Sequence, residues 1–198
     1  MISVSTLEKY KNLVGENNVL TGYEDVKQHS LDAFGRWRLG SAIQENLVSA
    51  VVRPSSTDEV VEVVRLSNER NISLIPFGAG TGVMGAIAPS NGGIAIDLKR
   101  MCNVIGVDAI SRTVTVEAGI ILGDLEAALN AEGFLLGHDP YSLPIATIGG
   151  AISTNGVGYR ASKYGSMGEQ VLGMEVVLPT GNVLKTKAIP KTSVGPAL

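Results

Sequence analysis

Two short apolar runs flank an amphipathic stretch in the first half of the chain. Residues 49–53 (Ser-Ala-Val-Val-Arg) and residues 72–77 (Ile-Ser-Leu-Ile-Pro-Phe) have the length and apolar character of strands. Between them, Ser56 and Glu59 have the spacing of a helix capping box and lead into the amphipathic residues 60–66. The pattern predicts a strand, a helix and a second strand, which together form a βαβ unit.

Later apolar runs predict strands that pair with their neighbours in sequence. Residues 93–97 form one strand-like run. Residues 103–108 and 113–118 are separated by a polar turn, and the second run alternates between apolar and polar positions, which predicts a hairpin. Residues 171–179 and 183–187 are joined by Thr-Gly-Asn, a turn sequence that predicts a second hairpin.

Two further segments predict helices. Ser5 and Glu8 have capping-box spacing at the start of residues 5–14. Residues 123–132 are rich in helix-forming residues and end before Gly133, a residue type that commonly terminates helices. We therefore expect one helix at the start of the chain and another after the first hairpin.

The pattern divides the chain into a leader and a main body. Residues 1–44 form a helical leader with a polar remainder, in which the Arg-Trp-Arg triplet at 36–38 is interpreted as surface or docking residues. Residues 45–198 carry the predicted strands and helices. Within them, residues 137–168 show no regular period, and we expect an irregular segment with a function, because long structureless segments inside a domain are usually functional or disordered.

Composition narrows the classes of partner. Glycine accounts for 24 of 198 residues, about 12% against a usual value of about 7%. The net charge of −3 gives no basic surface for nucleic acid, and the single Cys102 excludes an internal disulfide or a multi-cysteine metal site. We expect no bound metal. The chain has no long apolar run and no signal-like start, so we expect a cytoplasmic protein.

The first concentration of glycines follows directly on the predicted strand at 72–77. Four glycines within residues 78–85 would let backbone N–H groups converge on a phosphate without interference from side chains. Residues 80–85 match G-x-G-x-x-G, but the dinucleotide-binding form of that motif needs a helix, which Pro89 and the two glycines at 92–93 prevent. A nucleoside-triphosphate loop lacks its Lys and Ser or Thr. The alternative is an ordinary tight turn.

Residues 137–158 form a second glycine-rich segment. Small residues in it permit close backbone approach, and hydroxyl and amide side chains supply hydrogen-bonding groups. Two such segments suit an extended, phosphate-bearing dinucleotide. His138 and Asp139 are candidates for an acid/base pair, although a role in stabilising a turn is the favoured interpretation. No metal-protease motif or Ser-His-Asp set supports hydrolysis.

In their order along the chain, several motifs together resemble the FAD-binding domain of the vanillyl-alcohol oxidase superfamily, closest to its glycolate oxidase D-subunit and D-lactate dehydrogenase branch. The motifs are residues 51–60, 76–82, 117–119, 137–158 and 178–181. The resemblance implies an α+β fold, a two-part FAD-binding domain of the PCMH type in which the βαβ unit is joined to a mixed or antiparallel sheet with flanking helices. It also implies that residues 45–198 are incomplete at their C-terminal end and stop before a cap domain.

The resemblance further implies which residues contact FAD. Residues 76–82 would hold the pyrophosphate, and a second set would contact other parts of the cofactor. Thr81 stands where covalent members often carry a histidine, so we expect non-covalent FAD. The candidate residues are Pro76, Phe77, Gly78, Ala79, Gly80, Thr81 and Gly82 in the first segment, and Pro140, Tyr141, Ser142, Thr147, Gly149, Gly150, Thr154, Asn155, Gly156 and Val157 in the second.

The implied function is that of a flavin-dependent oxidase or dehydrogenase acting on a 2-hydroxy acid such as D-lactate or glycolate. Catalytic residues cannot be assigned, because the family carries most of them in the cap domain or a partner chain, and we expect residues 1–198 alone to be inactive. A non-catalytic flavin-binding subunit, in a homo-oligomer or with another chain, is one alternative. The Gly-His-Asp-Pro-Tyr-Ser sequence at 137–142 also resembles alkyl-dihydroxyacetone-phosphate synthase, which uses FAD without net redox change.

Overall fold

The computed structural model describes residues 2–33 and 46–188, in which helices and strands alternate. The helices are α1 (Val4–Val14), α2 (Tyr23–Gln28), α3 (Thr57–Glu69), α4 (Leu122–Ala131), α5 (Ile148–Ser153) and α6 (Ala161–Tyr164), with 3-10 turns at Glu16–Asn18 and Met167–Gln170. The strands are β1 (Val19–Leu20), β2 (Ala50–Val52), β3 (Leu74–Phe77), β4 (Ile94–Asp97), β5 (Val104–Asp108), β6 (Thr113–Val116), β7 (Glu175–Val177) and β8 (Val183–Lys185).

A four-stranded sheet with the order β1-β2-β4-β3 organises the first part of the fold. The predicted βαβ unit is confirmed, since α3 connects β2 to β3 and both run parallel to β4. The two strands are not neighbours, because β4 lies between them and its Ala95 pairs with Val51 on one side and Ile75 on the other. All four residues of β4 are buried, as expected for a central strand of a parallel sheet.

The first hydrophobic core lies between this sheet and the helices α1 and α3. Tyr10 and Val14 of α1 are buried against Val52, Val63 and neighbouring residues of the sheet and α3. The Tyr10 hydroxyl lies 2.6 Å from the Ser67 hydroxyl of α3, which satisfies both buried polar groups. The first helix of the leader is therefore packed into the core of the sheet.

The helix caps differ in detail from the sequence prediction. The first helix begins at Val4 and not at the expected cap, because Ser3 is the residue whose hydroxyl accepts the N–H of Thr6. In α3, Ser56 accepts the N–H of Glu59 as predicted. The Glu59 carboxylate accepts hydrogen bonds from the backbone N–H and the hydroxyl of Ser55, at 2.8 and 3.0 Å. Its partner is therefore the residue before the cap and not Ser56 itself.

The second part of the fold packs two helices against a hairpin. The predicted hairpin of β5 and β6 is confirmed, and the predicted helix is confirmed as α4, which ends before Gly133 in a left-handed conformation. Leu122 and Leu125 of α4 and Ile148 of α5 form a separate core cluster with their neighbours. The predicted hairpin of β7 and β8 is also confirmed, and it lies beside α3 through a 2.6 Å hydrogen bond from Thr57 to Glu175. This arrangement is the two-part α+β fold expected of a PCMH-type FAD-binding domain.

Two sequence predictions fall outside the residues that the structure describes. They are the Arg-Trp-Arg triplet at 36–38 and the boundary between leader and main body at residue 44, which stays a prediction. Within the described ranges the longest helix has 13 residues, and none of the helices there is long and apolar enough to cross a membrane.

Candidate cofactor-binding site

The site begins where the parallel strands of the main sheet end. Phe77 is the last residue of β3 and pairs with Asp97, the last residue of β4, while Arg53 follows β2 directly. The carboxyl ends of parallel strands meet at one edge of a sheet, and ligands of α/β proteins bind in the crevice outside that edge. Residues 78–85, which we call the glycine loop, leave the sheet at this point.

The glycine loop is held in a defined shape. Gly80 and Gly85 have φ values of +64° and +74°, in the left-handed region that residues with a side chain rarely adopt. The backbone N–H of Gly85 donates to Asp32 Oδ2 at 2.7 Å, and the carbonyl of Gly82 accepts the N–H of Ala33 at 3.0 Å. Residues 78–93 contain no helix, which confirms that this is not the dinucleotide-binding turn of a Rossmann fold.

The second glycine-rich segment is more regular than predicted. Residues 137–168 contain α5, α6 and the start of the 3-10 turn at Met167–Gln170, so the expectation of a structureless stretch is wrong. Short helices of four to six residues leave little periodicity in a sequence, and glycines within α5 hide its helical character. Thr147 caps α5 by accepting the N–H of Gly150 at 3.3 Å.

The two segments meet at one pair of residues. A Cβ atom on Gly78 would lie 2.5 Å from Thr147 Oγ1 and 3.7 Å from the Cα atom of Gly150. A side chain at position 78 would collide with the Thr147 hydroxyl, so glycine allows the two segments to lie this close together. Glycine backbone beside a hydroxyl group suits the phosphates of an extended cofactor, so the residues present are compatible with FAD.

Other glycines of the second segment allow close packing, both within the segment and against the rest of the protein. A Cβ on Gly149 would lie 2.9 Å from the carbonyl oxygen of Ala118, and one on Gly158 would lie 2.7 Å from the backbone nitrogen of Asp139. Gly119, next to Ala118, packs so closely that a Cβ would overlap the carbonyl of Leu98. The Glu-Ala-Gly motif at 117–119 is thus a packing junction between the two parts of the fold.

His138 and Asp139 have different surroundings. Asp139 binds the backbone N–H of Arg160 at 2.7 Å and the Arg160 guanidinium at 3.2 Å, which agrees with the turn-stabilising interpretation. His138 is buried, and its Nδ1 has no hydrogen-bond partner among the described residues. Burial lowers the pKa of His138, although the nearby charge of Asp139 acts in the opposite direction. The imidazole is therefore favoured in its neutral form.

The candidate FAD contacts differ in exposure. Tyr141 and Val157 are strongly exposed, at 91% and 69%. Several of the predicted hydrogen-bonding groups have protein partners, since Thr154 donates to the carbonyl of Gly150 and Asn155 Oδ1 accepts the N–H of Gly168. Two of the candidates are buried, Gly80 and Thr147. The exposed candidates are Pro76, Gly82, Tyr141, Thr154, Asn155 and Val157. The remaining candidates are half-buried: Phe77, Gly78, Ala79, Thr81, Pro140, Ser142, Gly149, Gly150 and Gly156.

A buried charge cluster lies at the same sheet edge and was not predicted. Asp97 Oδ2 lies 3.2 Å from His29 Nε2, 3.1 Å from Arg53 Nε and 3.7 Å from Lys99 Nζ. Burial alone would raise the pKa of Asp97, but the hydrogen bonds from His29 and the Lys99 backbone and the adjacent positive charges outweigh it, and the pKa is lowered. Asp97 is therefore ionised at neutral pH.

Comparison with known proteins agrees with this geometry. The FAD binding domain family matches residues 48–187, so the chain belongs to that family. Its two-part fold places it in the PCMH-type FAD-binding domains of the vanillyl-alcohol oxidase superfamily. The chain is an FAD-binding domain, and its cofactor is FAD.

Three relatives illustrate the range of the family. D-lactate dehydrogenase of Anaerostipes hadrus is 37% identical over all 198 residues, which span 40% of that protein. Glycolate oxidase subunit GlcD of Bacillus subtilis (strain 168) is 34% identical over 72% of this chain and 30% of its own length. Alkyldihydroxyacetonephosphate synthase of Trypanosoma brucei brucei is 34% identical over 74% of this chain and 25% of its own length. The chain thus spans well under half the length of these relatives.

Solved structures show the same fold. A structure of alkyldihydroxyacetonephosphate synthase matches with a TM-score of 0.87 and 29% identity, covering 95% of this chain and 39% of that one. A structure of p-cresol methylhydroxylase matches with a TM-score of 0.79 and 26% identity, covering 98% and 39%.

Proposed function

We propose that this chain is the FAD-binding part of a flavin-dependent dehydrogenase or oxidase that acts on a 2-hydroxy acid, with D-lactate and glycolate as the leading substrates. The observation that carries the proposal is the 37% identity to a D-lactate dehydrogenase along the whole of the chain. The match to a glycolate oxidase subunit supports the same substrate class.

The candidate residues divide by position. Residues 76–82 are proposed to hold the pyrophosphate, and the contact of Gly78 with Thr147 and Gly150 supports this role. The contacts to the remaining parts of FAD are proposed for two groups, Pro140, Tyr141, Ser142, Thr147, Gly149 and Gly150, and then Thr154, Asn155, Gly156 and Val157. Tyr141 and Val157 expose apolar surface at the site, and a flat aromatic ring system is a suitable partner for it.

In such an enzyme FAD accepts a hydride from the carbon that bears the substrate hydroxyl. The role proposed for this chain is to bind and orient the cofactor. Hydride transfer also needs a base near the hydroxyl and cationic groups for the carboxylate, in a site shielded from water. We propose that the rest of the protein or a partner chain supplies these groups, and that residues 1–198 alone do not turn over a 2-hydroxy acid.

A second candidate function is that of an alkyldihydroxyacetonephosphate synthase. The TM-score of 0.87 to such a synthase favours it, as does the Gly-His-Asp-Pro-Tyr-Ser sequence at 137–142. A third candidate, a flavin-binding subunit whose catalytic groups lie on another chain, is favoured by the description of GlcD as a subunit.

Anaerobic reduction of the flavin in the full-length protein tests these alternatives. D-lactate or glycolate should bleach the visible absorbance of the oxidised flavin, because the hydride is transferred to its ring system. Formation of alkyldihydroxyacetonephosphate without bleaching would establish the synthase instead. Bleaching that requires a co-purifying second polypeptide would show that the protein is a flavin-binding subunit whose catalytic groups lie on another chain.

The attachment of the cofactor is tested separately. With Thr81 in the glycine loop, FAD is proposed to be non-covalent, so acid precipitation of the full-length protein should release all the yellow colour into the supernatant. Flavin that remains with the precipitated polypeptide would contradict this proposal.

A further inference from the structure

Residues 23–33, which we call the N-terminal brace, contact both ends of the glycine loop. The ring of His29 lies 4.3 Å from the ring of Phe77, the residue that precedes the loop. Further along, Asp32 Oδ2 accepts the N–H of Gly85 at 2.7 Å, and the N–H of Ala33 donates to the carbonyl of Gly82 at 3.0 Å. The brace therefore fixes the entrance and the exit of the loop.

Both ring nitrogens of His29 lie within hydrogen-bonding distance of an oxygen atom. Nδ1 lies 2.7 Å from the backbone carbonyl oxygen of Asp25. Nε2 lies 3.2 Å from Asp97 Oδ2, and this contact is one of those that lower the pKa of Asp97. The ring is therefore held between the end of its own helix and the end of β4.

Charged groups of both signs lie around the glycine loop. The Asp97 carboxylate lies 3.1 Å from Arg53 Nε and 3.7 Å from Lys99 Nζ at the base of the loop. Asp32 places a second carboxylate at its far end. Together with the contact of His29 with Asp97, these contacts tie the strand ends and the loop to the N-terminal brace.

We propose that His29 is a positioning residue that together with Asp32 holds the glycine loop in the shape that receives the pyrophosphate of FAD. This role rests on the proposed function, in which the glycine loop binds pyrophosphate. His29 touches the last residue of β3 through its ring and the last residue of β4 through Nε2, so it ties both strand ends to the brace. Asp32 then fixes the far end of the loop.

The first test needs no cofactor. Amide exchange of residues 82–85 should accelerate at least about tenfold in His29→Phe, which keeps a ring beside Phe77 but loses both bonds. Arg65→Gln, which removes a surface ion pair on α3, should leave that exchange unchanged.

The second test separates the acceptor from the charge of Asp32. Asp32→Asn keeps an oxygen that can accept the N–H of Gly85, and should retain slow exchange in the loop. Asp32→Ala removes it and should lose that protection. In the full-length protein, FAD affinity measured by flavin fluorescence should be lower in His29→Phe than in the wild type.

The outcomes distinguish the positioning role of His29 and Asp32 from the pyrophosphate-binding role of the glycine loop. Loop exchange in His29→Phe and Asp32→Ala equal to that of the wild type would overturn the positioning role. Thermal unfolding of each variant at the same pH controls for general loss of structure, and equal acceleration across all the amides of the chain would also overturn it. If the loop loses protection as expected while FAD affinity stays unchanged, the pyrophosphate assignment of the loop is wrong and the brace only shapes a loop.

Discussion

The two glycine-rich segments of the site differ in how they use glycine. In the glycine loop, Gly80 and Gly85 adopt left-handed backbone conformations, and Gly78 at its start is pressed against the second segment. In residues 137–158 every glycine lies outside the left-handed region, and Gly149 and Gly158 are pressed against neighbouring backbone. Substitutions at Gly80 should therefore act mainly on the ligand, and substitutions at Gly149 or Gly158 mainly on folding.

The largest expected effect is on cofactor binding, from Gly80→Asp. Asp tolerates the left-handed region better than most residues, but Gly80 is buried, so thermal unfolding of the variant is measured beside its loss of FAD. A carboxylate beside a pyrophosphate is strongly repelled, and we expect FAD affinity to fall by at least about 100-fold, or about 2.7 kcal/mol. Flavin content of the purified full-length protein and a fluorescence titration measure it.

Gly80→Asn is the matched control for that variant. Asn has the same shape and the same tolerance of the left-handed region but no charge. It should retain clearly more FAD than Gly80→Asp. Normal flavin content in Gly80→Asp would show that the glycine loop does not hold the pyrophosphate.

The next effect is on stability, from Gly149→Ala. Replacing glycine by alanine within a helix ordinarily stabilises a protein by up to about 1 kcal/mol. Here the new Cβ would lie 2.9 Å from the carbonyl of Ala118, and we expect a loss of about 1–3 kcal/mol instead. Urea denaturation measures the free energy of unfolding.

The neighbouring Gly150→Ala provides a control in the same helix. Its Cβ would lie 3.1 Å from Thr147 Oγ1, a side-chain atom that can move, so its cost in stability should be smaller. Equal effects of the two substitutions would show that close approach to Ala118 is not what requires glycine at position 149.

A smaller effect concerns how the stability of the protein depends on pH, and it arises from His138 in the second segment. Because the pKa of His138 is lowered in the folded state, the unfolded chain takes up a proton first as the pH falls. The stabilising contribution is fully present above the ordinary histidine value of about 6.5 and is lost progressively as the pH falls from there towards the lowered folded pKa. The unfolding midpoint of the wild type should therefore decline more steeply between about pH 7.5 and pH 5 than that of His138→Gln.

The quantity to compare is the difference in unfolding midpoint between wild type and His138→Gln at each pH. Other groups titrate in the same range, but they are common to both proteins. An identical pH dependence of wild type and His138→Gln would show that the buried His138 ring contributes nothing to acid sensitivity.

Local patterns explain why much of the fold could be predicted. The hairpins and α4 are encoded by neighbouring residues, an apolar alternation with a turn sequence in one case and helix formers followed by Gly133 in the other. The insertion of β4 between β2 and β3 could not be read in the same way, because the order of strands depends on contacts between residues far apart in sequence. The short helix α5 was missed because its glycines serve packing and not helix formation.

The candidate site shows the same division. Glycine-rich stretches identified both segments, but Asp32 and His29 carry no motif and lie far before the loop in sequence. Neither residue belongs to a recognisable pattern in the leader. The contacts of Asp32 with Gly85 and of His29 with Phe77 become apparent only in the folded structure.

The smallest predicted effect comes from a glycine that is neither left-handed nor closely packed. Gly106, in β5, lies outside the left-handed region, and a Cβ added there would meet no atom within 4 Å. Alanine at this position should reduce the conformational freedom of the unfolded chain and stabilise the protein by about 0.4–1 kcal/mol, without changing FAD affinity. The urea midpoint of Gly106→Ala, compared with those of Gly149→Ala and Gly80→Asn, measures it. A loss of stability at this open position would mean that the irregular pairing of β5 with β6 near Gly106 itself requires glycine, and that the division of glycines into two physical classes is incomplete.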